Sequence, residues 1–125
     1  MAFSRKTLFY GLRESGGHVR YIGITTGELS HRLKQHISLA ARSQEMHRPV
    51  YVWLSECLAK DIRVEIVKLA ECEPAVNVGH WLSEYQIESC LIRSYSMRAK
   101  INGRPPILNA TAVDSHADLE LEAAR

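Results

Sequence analysis

The stretch Thr7-Leu8-Phe9-Tyr10-Gly11-Leu12-Arg13-Glu14-Ser15-Gly16-Gly17-His18-Val19-Arg20-Tyr21-Ile22-Gly23-Ile24 decides the fold. Two short apolar runs rich in β-formers, residues 7–13 and 18–24, flank four residues of turn chemistry, which is the pattern of a β-hairpin. A four-residue loop closing that hairpin sets Arg13 opposite His18, Leu12 opposite Val19 and Tyr10 directly opposite Tyr21. Cross-strand partners on one face lie about 5 Å apart. The expected register therefore puts two phenols side by side.

Working outward, Thr25-Thr26-Gly27 leads into a helix over residues 28–42, with Leu29, Leu33, Ile37 and Ala40 as its core stripe. Arg48-Pro49 opens a second helix reaching residue 60, its proline near the first turn, where a missing N–H costs least. Residues 62–67 alternate with period two and read as a third strand. Residues 73–79 read as loop, and a third helix is expected over residues 80–97. After Asn102-Gly103-Arg104-Pro105-Pro106, a second loop, come Ile107-Leu108-Asn109. The order β-β-α-α-β-α predicts an α+β fold, a small antiparallel or mixed three-stranded sheet flanked by helices. No internal repeat or linker divides the chain, so residues 1–110 read as one domain and residues 111–125 as an acidic, flexible tail.

Composition excludes several classes. No apolar run approaches the roughly 18 residues that cross a bilayer, and the N-terminus lacks a secretory h-region, so no membrane partner is expected. Cys57, Cys72 and Cys90 are odd in number and never closer than fifteen residues, which excludes a CxxC zinc or redox motif and argues against a disulfide framework. They read as small apolar packing residues of a reduced, cytoplasmic protein. The 125 residues carry a net charge of +2. The tail contributes Asp114, Asp118, Glu120 and Glu122 against Arg125, so residues 1–110 hold fifteen Lys/Arg against ten Asp/Glu. A surplus of that size suits a polyanion, though many inert domains share it.

Two polar constellations interrupt the apolar pattern. On the third helix, Trp81, Tyr85, Leu91, Ile92 and Tyr95 share a face at 100° per residue, and Glu88 falls in its middle. An ionised carboxylate there is costly unless it is paired or binds a metal. It is either a metal ligand or an acid satisfied by a neighbouring Arg or Tyr; Glu84, at the stripe's edge, reads as solvated. On the first helix, Arg32 and His36 are four apart and project from one side, at the rim of the core stripe and toward the tyrosines. His31 and Lys34 point elsewhere and read as surface.

With these residues on the page, the chain resembles the GIY-YIG nucleases from about residue 7 to 109. The family's two triplets on neighbouring strands correspond to Leu8-Phe9-Tyr10 and Tyr21-Ile22-Gly23. Its helical Arg, commonly followed one turn later by His, corresponds to Arg32 and His36; its later Glu, followed by an aliphatic and an aromatic residue, to Glu88 with Ile92 and Tyr95; its final Asn to Asn109. Leu8 departs from the pattern, standing where the family usually has Gly, and Gly11 follows Tyr10 instead.

The resemblance implies a metal-dependent endonuclease or nickase that hydrolyses phosphodiester bonds of DNA, single- or double-stranded. Glu88 would hold one Mg²⁺ (or Mn²⁺), a hard cation that suits a carboxylate, waters and substrate phosphate. Arg32 would contact the scissile phosphate with its planar donor fork. Tyr10 would activate or position the attacking water. A phenol with a reference pKa of about 10 needs a proton acceptor or a cation for that, and His36 could take the proton. Tyr21 would bond the phosphate or the water, and Asn109 would organise the site. Arg13 and Arg20, beside the tyrosines on the hairpin, are the foremost candidates for DNA backbone contacts, ahead of Arg5, Lys6, Arg42, Arg48 and Arg104. A homodimer or a protein partner could supply targeting. Two other classes compete: a catalytically inactive nucleic-acid-binding module on the same fold, and an interaction domain without nucleic acid, separable by salt titration.

Overall fold

The computed structural model describes residues 6–42, 48–72 and 80–109, except the side chains of residues 80–83 and 85. The expectations for the tail from Thr111, the loop of residues 73–79, Arg5, and the side chains of Trp81 and Tyr85 lie outside the described residues. Six elements follow in order: β1 (Thr7–Glu14), β2 (Val19–Thr25), α1 (Leu29–Ala41), α2 (Pro49–Ala59), β3 (Val64–Cys72) and α3 (His80–Ile101). They form a small α+β fold whose three strands, in the order β2-β1-β3, are antiparallel throughout.

β1 is the middle strand, so both its edges are hydrogen-bonded and both its faces are covered. That is why Phe9, Tyr10, Gly11 and Leu12 are buried in succession, without the alternation of a half-exposed strand. One core cluster joins Tyr10 and Leu12 to Ala40 of α1 and to Val50, Tyr51, Trp53, Leu54 and Cys57 of α2. The other joins Ile22 to Ile92 of α3 and to Ile107, with Val19, Leu69, Leu91 and Tyr95 against it. Neighbouring strand residues point to opposite faces, so α1 with α2 cover one face of the sheet and α3 the other.

The hairpin register differs from the expectation. β1 runs through Glu14 and β2 starts at Val19, so residues 15–18, not 14–17, connect the strands, with the Gly17 amide donating to the Glu14 carbonyl at 2.7 Å. Arg13 pairs with Val19, one residue past the expected His18, and Leu12 with Tyr21, so Arg20 is an extra residue in β2 and every pair beyond it is shifted by two. Tyr10 faces Gly23, not Tyr21. A second irregularity between Phe9 and Tyr10 on the β3 side leaves Leu69 extra, so Tyr10 sits between two β-bulges. Gly23 is the residue that tolerates this: a Cβ there would collide with the Tyr10 ring and hydroxyl. The missing side chain is the space in which the Tyr10 phenol lies.

Three further departures have local causes. β3 starts two residues later and runs five further than expected, because it pairs along the whole of β1 and its edge position leaves Lys68 and Glu71 exposed, which obscures the alternation. α3 continues to Ile101 before Gly103, at φ +64, ends it. On α1 the core stripe is Leu29, Leu33, His36 and Ala40, with His36 in the buried position expected for Ile37. Cys57 is buried as expected, whereas Cys72 is half-buried and Cys90 exposed. No helix among the described residues is long and apolar enough to cross a membrane.

Candidate active site

Because Tyr10 and Tyr21 are two positions off register on one sheet face, their rings are diagonal neighbours, and the imidazole of His36 fills the angle between them. The His36 centroid is 5.8 Å from each of the two rings, edge-on to Tyr21. His36 is 1% exposed, not at a rim, and a buried imidazole must satisfy both nitrogens. Nε2 lies 2.7 Å from the Tyr10 hydroxyl and Nδ1 lies 2.9 Å from the hydroxyl of Tyr51, a buried residue of α2. Arg32 Nε donates to the Tyr10 oxygen at 3.1 Å, and its Nη1 donates to Gln35 Oε1 at 3.1 Å. Arg48, the N-cap of α2, donates from Nη2 to the Tyr21 hydroxyl at 3.3 Å and stacks its Cζ 5.1 Å from the Tyr51 ring centroid.

The tautomer follows from these partners. A guanidinium only donates, so Arg32 occupies the Tyr10 oxygen as an acceptor, and the phenol's own proton turns inward to His36 Nε2. His36 then carries its proton on Nδ1 and donates it to Tyr51. The chain runs from Arg32 through Tyr10 and His36 to Tyr51 in a single donor direction.

Burial fixes the resting protonation. It pushes Tyr10 up to about 12, against the hydrogen bond from Arg32, which pulls the other way. Burial, then the charges of Arg32 and Arg48, pushes His36 down to about 4. Burial also raises Tyr21, with Arg48 opposing and the charges of Tyr51 and Glu88 assisting. The two shifts point the same way: burial favours the proton on the Tyr10 oxygen and disfavours a second proton on His36. Tyr10 and Tyr21 therefore rest as neutral phenols beside a neutral imidazole.

The other expected residues fall at two distances from this centre. Glu88 is half-buried on α3, close enough for its charge to act on Tyr21. No three His, Cys, Asp or Glu side chains cluster among the described residues. Glu88 carries the hard carboxylate oxygen that Mg²⁺ takes together with waters and substrate phosphate. Glu84 is not simply solvated: its Oε1 accepts a hydrogen bond from the Thr7 hydroxyl at 2.8 Å, tying α3 to the start of β1. Asn109, 4% exposed, works on the backbone: Oδ1 accepts from the Ile22 amide at 2.6 Å and Nδ2 donates to the Ile22 carbonyl at 2.9 Å. With Leu108 N donating to the Arg20 carbonyl at 2.6 Å, this segment covers the outer edge of β2 and holds Tyr21 and Gly23 in place.

The hairpin arginines are engaged differently. Arg13 is ion-paired with Glu65 at 2.7 Å across β1 and β3. Arg20 lies 5.7 Å from the Trp53 ring centroid and donates to the Pro106 carbonyl at 3.3 Å, both neutral partners. Sequence reasoning missed Tyr51 altogether and placed Arg48 only among the lesser candidates for DNA backbone contacts. The available signal was indirect: once His36 is read into the stripe with Leu29, Leu33 and Ala40, its second nitrogen demands a buried partner, and Tyr51 is the tyrosine on an apolar helix. No protein-family model, curated protein or solved structure matches the chain.

Proposed function

We propose that this protein is a metal-dependent DNA endonuclease or nickase of the GIY-YIG type. The observation that carries the reading is the convergence of Tyr10, Arg32 and His36 in one hydrogen-bonded cluster, with the Tyr21 ring edge-on to His36 and the Glu88 charge acting on Tyr21. Phosphodiester hydrolysis needs a positioned water and compensation of charge on the phosphate oxygens. Arg32 supplies the second through donors that remain after its bonds to Tyr10 and Gln35. Tyr21, partly exposed, offers its hydroxyl to the phosphate or the water. Tyr10 has no exposed surface, so Arg32 must turn toward the phosphate before the Tyr10 oxygen meets the water. Its proton stays directed at His36, so Tyr10 orients the water in the ground state and does not ionise beforehand. Glu88 would hold one Mg²⁺, which when bound lowers the pKa of water and offsets charge on the leaving oxygen. Asn109 keeps the β2 edge in register while this happens.

The test is cleavage of supercoiled plasmid and of single-stranded circular DNA in Mg²⁺ or EDTA, for the wild type and Glu88→Ala. Mg²⁺-dependent nicking by the wild type, lost in a folded variant, is the expected result. DNA binding by both proteins, with cutting by neither, would favour the inactive binding module. Absence of both binding and cutting would remove nucleic acid from the account.

A further inference from the structure

Two guanidinium groups, not one, converge on the buried imidazole. Arg32 reaches it through Tyr10 and Arg48 through Tyr21, and both charges act on His36. We propose that Arg48 is a second phosphate ligand of the site, closing with Arg32 on one phosphodiester group from the α2 side; the substrate class rests on the nuclease reading above.

Three features separate Arg48 from an ordinary surface arginine. Its partners are neutral: the Tyr21 hydroxyl at 3.3 Å and the Tyr51 ring, 5.1 Å from Cζ. Neither Arg48 nor Arg32 is ion-paired among the described residues, whereas Arg13 has Glu65 at 2.7 Å. Arg48 is also held in place. It stacks on a tyrosine whose own hydroxyl is fixed by His36 Nδ1 at 2.9 Å, and it sits at the first turn of α2, where Pro49 sets the backbone.

Two like charges directed at a neutral buried cluster repel one another, and an anion between them relieves that repulsion. A guanidinium has five N–H donors. The bonds described engage two on Arg32 and one on Arg48, leaving donors on both forks for the oxygens of a tetrahedral phosphate. Arg48 also touches Tyr21, the partly exposed hydroxyl of the pair, so the phosphate it holds is delivered to the open side of the cluster.

Arg48→Gln separates a charge role from a structural one, because the amide can still donate to Tyr21 but cannot bind an anion by charge. The full chain, labelled with ¹⁵N, is titrated with inorganic phosphate while the arginine Nε–H resonances are followed. In the wild type both Arg32 and Arg48 are expected to shift along one binding curve. Arg48→Gln should weaken phosphate roughly tenfold and lower nicking kcat/KM about a hundredfold, with Arg48→Lys recovering part of each. Phosphate that shifts Arg32 alone, or binds Arg48→Gln as it binds the wild type, overturns the proposal. The two readings fail separately. A wild type that binds phosphate through both arginines but leaves DNA uncut in Mg²⁺ keeps the clamp and loses the nuclease. Nicking that is unchanged in Arg48→Gln keeps the nuclease and loses the clamp.

Discussion

His36 shows how one residue ties stability to the candidate chemistry. Its folded pKa is depressed to about 4 from an ordinary 6.5. Below pH 6.5 the unfolded chain therefore binds a proton that the folded chain refuses. Stability should rise with pH across the window from about 4 to 6.5 and be fully present above it, with a span of at most about 3 kcal/mol. Urea denaturation at pH 4.5, 5.5 and 7.5 checks this. The wild-type midpoint should fall on acidification more steeply than that of His36→Gln, and parallel profiles would show that His36 is not the group responsible. Tyr10→Phe isolates the hydroxyl: it strips His36 Nε2 of its donor and Arg32 of its acceptor, a cost of about 1–3 kcal/mol visible in the same melts. At this scale the sequence was legible where residue type and spacing coincide. Arg32 and His36, four apart, do meet the tyrosines. Tyr51 was not legible, because a tyrosine on an apolar helix looks the same whether it only packs or also completes a buried imidazole.

Among the elements, β2 has the most precarious position, as an edge strand carrying both Tyr21 and Gly23. Its order depends on the segment that follows α3. Asn109 closes both polar groups of Ile22, and Leu108 closes the Arg20 carbonyl, while Ile107 and Leu108 pack toward the two opposite core clusters. Asn109→Ala leaves two buried backbone groups without partners and should destabilise the fold by roughly 2–4 kcal/mol, with amide exchange at Ile22 accelerating before that of β1. Unchanged exchange at Ile22 would show that the edge is held by something else. Gly23→Ala tests the other side of the strand. The added methyl competes with the Tyr10 phenol, so the variant should lose about 1–3 kcal/mol and nicking together, even though alanine fits a strand. The identities and order of the elements could be read from periodicity and turn chemistry. The register could not, because a turn that pairs Arg13 with Val19 and a bulge at Arg20 each shift it by one residue without changing composition, and together they decide that Tyr10 lies over Gly23 and diagonal to Tyr21.

Across the whole molecule, the question is which of the fifteen basic residues before the tail act as charge toward a polyanion. Net charge cannot say, since a surplus spread over paired side chains has little effect at a distance. The partners do discriminate. Arg13 is offset by Glu65, whereas Arg20 rests on Trp53 and a carbonyl and has no ion pair among the described residues. Both were equal candidates in the sequence because both flank the hairpin; the contrast arises from β3, which brings Glu65 beside Arg13 through a long-range pairing. Each phosphate contact contributes roughly 0.7–0.9 to the slope of log K against log salt. Binding of a short DNA, measured by anisotropy between 50 and 200 mM salt in EDTA, should therefore respond unequally. Arg20→Gln is expected to flatten the slope by about one contact, Arg13→Gln to leave it nearly unchanged, and the double variant to behave as Arg20→Gln alone. Equal flattening by the two single variants would mean that the Arg13–Glu65 pair opens when DNA binds, and the footprint would then extend down the hairpin to its turn.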